Sequence, residues 1–371
     1  MVALILSVWS LLSVYGSISS LAVKAEGNSL KFLTKQGTFL VLGLMTIYIV
    51  HRINYKYFAK LANFVYVAAV LALVLTLAIG PDINDAKRWL QIPIVGITVQ
   101  TSDFAKVAMI IYLAKELHMK RGILDDFRNG IAPILVRIGI VCGLILPEDL
   151  STAVLLGAVC LGMMLIASVP WRSLFRIGGI IVAMGITVYG VGKLKPDLVP
   201  RLGTWTSRIE QFVGFASTGV SREATEGEYQ IELAQIAIHK GGMLPSGPGS
   251  GTSRNFLPHP YSDMIYAFII EEWGAIIGGL GLLLLYLILM YRTIDAARKC
   301  EKPFGSYLAM GLGMMICMQA LINMAVAVRL FPTTGQPLPL VSLGGTSILF
   351  TSISIGIILA VSRAPLLAAR R

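Results

Sequence analysis

The sequence predicts an all-α, polytopic integral membrane protein with about ten transmembrane helices and a large external loop between the seventh and the eighth. Three observations carry that prediction. The 371 residues are 56% hydrophobic, with a mean hydropathy of +0.75. Only 14% are charged, against about 25% in soluble globular proteins. The apolar residues gather into runs close to the ~20 residues a spanning helix needs. High hydrophobicity with low charge also excludes a disordered chain.

The apolar runs, in order, are 3–23, 34–51, 58–79, 101–118, 130–147, 150–169, 174–192, 264–291, 305–328 and 342–362. The first lacks a basic n-region and is followed by many more, so it reads as a true helix and not a signal peptide. The seventh contains Gly178-Gly179 and the eighth Gly278, Gly279 and Gly281, small residues that let membrane helices approach closely. Between them, residues 193–263 form a loop too long and too patterned for a simple connector. Within it, Glu228–Lys240 places Ile231, Ala234 and Ile238 on one face and predicts an amphipathic helix. Gly241–Gly251 is rich in Gly, Pro and Ser and predicts irregular backbone. The whole chain, 1–371, reads as a single membrane domain.

Lys and Arg exceed Asp and Glu by 31 to 20, a net charge of +11. No basic run is interleaved with aromatics, so nucleic acid is not indicated. The excess instead follows membrane topology. With the N-terminus inside, the inside loops hold fifteen basic residues and the short outside loops six. That asymmetry places both termini in the cytoplasm and residues 193–263 outside. Cys142, Cys160, Cys300 and Cys317 form no CxxC pair, and His51, His118, His239 and His259 have no metal-ligand spacing.

Three segments could carry chemistry. The first is Asn255–Gly274, where Asp263 stands at the outer mouth of the eighth span. Helix capping is the plain explanation for a Ser or Asp there. It does not explain the Pro- and aromatic-rich approach, nor Glu271 and Glu272, which lie about 12–14 Å further along the helix at 1.5 Å per residue. Carboxylates at that depth mark a polar cavity or a buried pair, and Glu271 is the nearer to Asp263 around the helix. The second is Gln100–Lys106 at the start of the fourth span. Asp103 and Lys106 are three apart on one face, and Lys106 is placed to bind a pyrophosphate or to pair with an acid on the eighth span. The third is Arg329–Ser347, whose three prolines and three glycines cannot continue a helix. Apolar, broken backbone at membrane depth is tolerated where it lines a cavity.

Together these segments resemble the SEDS family of membrane peptidoglycan glycosyltransferases, which includes FtsW, RodA and SpoVE. The likeness is carried by Leu257, Pro258, Tyr261, Ser262, Asp263, Ile265, Glu271, Glu272 and Gly274. A second motif is Pro332, Thr333, Thr334, Gly335, Leu338, Pro339, Ser342, Gly344, Gly345, Thr346 and Ser347. Arg88-Trp89, the Gln100–Lys106 run and Pro147, Asp149, Leu150, Thr152 and Ala153 also fit. The likeness runs from about residue 80 to the C-terminus. Thr101, Asp103, Ser151, Leu233-Ala234 and Met243–Ser246 depart from the usual pattern. The wording is nearer the division branch, FtsW, than the elongation branch, RodA.

The resemblance implies a lipid II polymerase at the outer leaflet of the cytoplasmic membrane, serving septal synthesis. It implies Asp263 as the catalytic base, Lys106, Arg201 and Arg208 as contacts for the leaving pyrophosphate, and Asp103, Glu271, Glu272, Gln230, Thr333, Thr334 and Ser342 as supporting polar residues. A divalent cation, Mg or Mn, fits that chemistry, with no organic cofactor. The implied partners are lipid II, a class B penicillin-binding transpeptidase and other division proteins. The competing readings are a lipid II flippase, an elongation paralogue and a recruiting scaffold.

Overall fold

A computed structural model describes residues 1–16, 30–81, 87–92, 97–194, 201–218, 226–253 and 263–368. Among these, every predicted apolar run falls on helix. In chain order the elements are α1 (Val2–Gly16), α2 (Leu30–Val50), α3 (Lys56–Ile79), the strands β1 (Trp89–Ile92) and β2 (Ile97–Gln100), and α4 (Thr101–Met119). A π-helical turn at Phe127–Ile131 leads into α5 (Ala132–Ile145), followed by α6 (Leu150–Ile166) and α7 (Trp171–Leu194). Then come α8 (Leu202–Thr218), α9 (Glu226–Gly241), α10 (Ile265–Trp273), a π-helical stretch at Gly274–Leu280, α11 (Gly281–Lys299), α12 (Pro303–Ala327) and α13 (Gly345–Ala368).

Seven helical stretches among the described residues are long and apolar enough to cross a bilayer. Two shorter apolar helices, Val2–Tyr15 and Leu150–Ile166, correspond to the first and sixth predicted spans. The remaining predicted span, the fourth, is α4, which carries Asp103, Lys106, Lys115 and Glu116. The chain is a multi-pass membrane protein. Three features were not anticipated. Residues 193–263 include a second helix, α8, beside the expected amphipathic one. A short hairpin precedes α4, with Trp89 opposite Gln100 and Ile92 opposite Ile97. The eighth span is not continuous but is interrupted at Gly274.

The chain divides into two compact units, and α8, α11, α12 and α13 each contribute residues to both. The unit of His51–Ser207, Thr293–Met315 and Ile357–Arg371 is built on α3 and α4. Here Asp149 caps α6 by accepting from Thr152 N at 3.0 Å, and its other oxygen pairs with Arg88 at 3.5 Å. Arg137 of α5 reaches Tyr112 and Glu116 of α4, so a charge at that depth is met by partners. Small residues set the spacing: a Cβ on Gly311 would lie 2.5 Å from Met163 Sδ and 2.7 Å from Ile110 Cγ2.

The second unit comprises Met1–Val50, Arg208–Arg292 and Ile316–Gly356. Its helices also meet across glycines. Gly345 faces the Phe39 ring, Gly356 faces Val50, and Gly241 lies against the backbone of α10. At Gly241 an added Cβ would sit 2.2 Å from Ile270 O and 2.8 Å from Glu271 Cα, and neither backbone atom can step aside. We therefore expect Gly241→Ala to destabilise the protein by about 1–3 kcal/mol, the usual penalty of overpacking. Gly139→Ala, whose Cβ meets nothing within 4 Å, should leave thermal unfolding in detergent unchanged. Equal unfolding temperatures for the two variants would contradict this packing.

Candidate functional site

Asp263 stands in the turn that opens α10 and is partly exposed. The predicted motif residues just before it, Leu257, Pro258, Tyr261 and Ser262, lie outside the described residues. Two other segments converge on Asp263. Asn323 of α12, 1% exposed, donates from one amide nitrogen to Asp263 O and to Gln336 O, each at 2.8 Å. Gly335 has φ +66°, a conformation that favours glycine. A Cβ there would come 3.5 Å from Asp263 Oδ2. The carboxylate thus lies beside the Pro-Thr-Thr-Gly stretch.

That stretch is the broken backbone the prolines and glycines predicted, and side chains take over its hydrogen bonds. Thr333 O accepts from Arg208 Nη1 at 3.2 Å. Pro337 O accepts from Gln319 Nε2 at 2.9 Å, and Pro339 O from the Tyr286 hydroxyl. Val341 O accepts from Ser10 Oγ at 2.9 Å, which in turn accepts from Gln36 Nε2. Ser342 Oγ accepts from Leu338 N at 2.8 Å and closes a turn. Thr334 is partly exposed between Thr333 and Gly335. Each of these bonds satisfies a backbone group that has no helical or strand partner.

Entry into this stretch is fixed by a buried ion pair. Helix α12 ends with Leu330 N donating to Ala325 O and Arg329 N to Val326 O. This is a Schellman turn, whose left-handed position is usually glycine. Here that residue is Arg329, with φ +58°. Its guanidinium pairs with Glu228 of α9, and both side chains are buried, at 4% and 2% exposure. Gln230, two residues on, is partly exposed on α9.

Glu271 and Glu272, at the end of α10, hold the Gly/Ser/Pro loop. Glu271 Oε1 accepts from Thr252 N, Ser253 N and Ser253 Oγ at 2.9–3.1 Å. Glu272 Oε1 accepts from Gly249 N, and its carbonyl accepts from Ser246 N and Gly247 N. The loop also explains the break in the eighth span. Ala275 N donates to Gly242 O, and a Cβ on Gly274 (φ +71°) would strike Met243 O at 2.6 Å. The π-helical stretch Gly274–Leu280 begins at this contact.

Lys106 and Arg201 belong to the other unit. Lys106 pairs with Asp103 at 2.7 Å, both side chains under 8% exposed, and Asp103 Oδ2 is buried without a hydrogen-bond partner. Arg201 Nη1 donates to Glu148 O at 2.6 Å, the same carbonyl that accepts from Arg88 Nε. Among the described residues no three His, Cys, Asp or Glu side chains converge as a metal site. Sequence reading missed Asn323, Gln319, Glu228 and Arg329. A signal was available: polar side chains in or beside an apolar helix must find partners inside the protein.

A multi-pass helical protein whose irregular backbone is held by buried side chains around an acid defines the class. The chain belongs to the cell cycle protein family of FtsW, RodA and SpoVE, whose sequence model matches residues 1–365. It is 31% identical to the probable peptidoglycan glycosyltransferase FtsW of Trichlorobacter lovleyi over 96% of this chain and 90% of that one. It is also 31% identical to the probable peptidoglycan glycosyltransferase FtsW of Bacillus subtilis, over 95% and 87%. Among solved structures it resembles a chain described under polymerization and crosslinking by a peptidoglycan synthase complex, with a TM-score of 0.72, 24% identity and 97% coverage of both chains. The rod shape determining protein RodA of Thermus thermophilus gives a TM-score of 0.63 at 24% identity, covering 96% and 95%.

Removing one partner of a buried ion pair leaves the other charge uncompensated, at about 3–5 kcal/mol. Glu228→Ala and Arg329→Ala should each lower unfolding stability in detergent by roughly that amount. The double variant Glu228→Leu/Arg329→Met should recover most of the loss. Additive losses in the double variant would show that the two residues act independently.

Proposed function

We propose that this chain is a peptidoglycan glycosyltransferase that polymerises lipid II into glycan strands at the outer leaflet of the cytoplasmic membrane, for septal synthesis. The observation that carries this reading is Asp263: a partly exposed carboxylate at a helix mouth, beside a broken apolar segment, in a family whose Trichlorobacter lovleyi and Bacillus subtilis members carry that activity in their names. Strand extension requires an acceptor sugar hydroxyl to lose its proton as its oxygen bonds to the donor's anomeric carbon. The bond from that carbon to the lipid pyrophosphate breaks, and its electron pair leaves with the pyrophosphate. Asp263 takes the proton, a contribution of about 10²–10⁴-fold for a positioned base.

The leaving group carries negative charge, and the cations proposed to meet it are Lys106, Arg201 and Arg208. A Mg or Mn ion, where one takes part, is proposed to arrive with the substrate's pyrophosphate. Asp103 supports Lys106, while Thr333, Thr334 and Ser342 shape the segment beside the base. Glu271, Glu272 and Gln230 support the loop side. The proposed partner is a class B penicillin-binding transpeptidase, acting with other division proteins. Its support is the synthase complex of the structural neighbour. Both termini are proposed to be cytoplasmic, on the strength of the basic-residue asymmetry.

Purified protein with its transpeptidase, given labelled lipid II, should form polymer. Asp263→Ala and Asp263→Asn should lower the rate at least ~100-fold while the protein stays folded and monodisperse. An Asp263→Asn variant that retained most of its activity would reduce the residue to a helix cap.

A further inference from the structure

We infer that Asn323 is a positioning residue for polymerisation: its single amide nitrogen sets the distance between Asp263 and the Pro332–Gly344 segment. The inference deepens the proposed function and rests on it. Asn323 is 1% exposed and lies near the C-terminal end of α12. Both neighbours of its amide are carbonyl oxygens, Asp263 O and Gln336 O, each at 2.8 Å. Two acceptors require two donors, so the nitrogen and not the oxygen must face them. A carboxylate offers no donor and a hydroxyl only one, whereas a primary amide offers two from one atom.

The other end of the side chain shows why it is there. Asn323 Oδ1 is buried with no hydrogen-bond partner. A buried acceptor left unpaired is unfavourable, so core packing alone would favour a leucine of similar size. The arrangement makes sense through the donor end. The two bonds tie the turn that carries Asp263 to Gln336, the neighbour of Gly335, the residue whose Cα faces the Asp263 carboxylate. Catalytic geometry is sensitive to displacements of about 1 Å. Gln319, one turn earlier on α12, donates to Pro337 O at 2.9 Å. It provides a comparison at a second anchor of the same segment.

The test is steady-state polymerisation of lipid II by the full-length protein with its transpeptidase. It compares wild type, Asn323→Leu, Asn323→Gln, Gln319→Leu and Asp263→Ala, with the folded fraction of each measured in the same detergent. Asn323→Leu is expected to lower kcat about 10–100-fold with KM within about twofold and the folded fraction unchanged. Asn323→Gln, which keeps both donors on a longer stem, should recover part of kcat. Gln319→Leu should lose less than Asn323→Leu. Three results would each overturn the inference: kcat within twofold of wild type in Asn323→Leu; a loss carried by KM or by the folded fraction; or equal losses in Asn323→Leu and Gln319→Leu. If Asn323→Leu does not fold, Asn323→Gln decides, since full inactivity or a loss in KM alone would count against positioning. An active Asp263→Ala would instead overturn the proposed function. Inactive Asp263→Ala beside fully active Asn323→Leu would overturn this inference alone.

Discussion

Backbone groups turned away from water must find hydrogen-bond partners within the protein, and this constraint organises the unit around Asp263. Helices satisfy it internally. The two irregular stretches, Ser246–Ser253 and Pro332–Gly344, satisfy it through side chains. Arg208, Asn323, Gln319, Tyr286 and Ser10 each take a carbonyl of the second stretch. Glu271 and Glu272 take amides of the first. The Pro332–Gly344 stretch offers mainly carbonyls to side-chain donors, with Leu338 N meeting Ser342 Oγ, and the glycine-rich loop offers amides to the Glu271 and Glu272 carboxylates and to the Glu272 carbonyl. Irregular backbone held in this way is as determined as a helix, and it is beside such backbone that Asp263 stands.

The same logic gives the buried charges plain duties. Glu271 and Glu272, read from the sequence as a polar cavity or a buried pair, use three backbone amides and a hydroxyl to seat a loop. Arg329 occupies the left-handed position at the end of α12, where glycine is usual, because Glu228 holds its side chain. Asp103 and Lys106 compensate one another within a helix that is buried along most of its length. Asp263 combines a carboxylate with partial exposure and a neighbouring broken apolar segment. That is the physical ground for proposing it, and none of the deeper acids, as the base.

Much of this was legible in the sequence, and the exceptions have physical causes. Apolar runs locate the helices well because burial in lipid or in protein demands the same composition. The helix at Glu226–Gly241 was also readable, from Ile231, Ala234 and Ile238 on one face. Helix α8 was not: Leu202–Thr218 mixes polar and apolar residues in a long loop, and its spacing alone does not stand out. The break at Gly274 was hidden because the apolar run continues through it; what interrupts the helix is a loop about thirty residues earlier in the chain. The glutamates and the Pro-Thr-Thr-Gly stretch could be noticed as unusual. Which backbone atoms they hold depends on tertiary contacts, as at Asn323, whose two partners are 60 and 13 residues away.

The central claim is that this arrangement performs chemistry on a lipid-linked sugar rather than passing the lipid across the bilayer. The most direct measurement follows both events in one sample. The protein and its transpeptidase are reconstituted in liposomes with fluorescent lipid II on the face that receives the 193–263 region. Polymer is resolved on gels, and translocation is read by quencher access. The account predicts polymer from lipid II already on that face, with no protein-dependent crossing. Protein-dependent crossing without polymer would contradict it and make the chain a transporter.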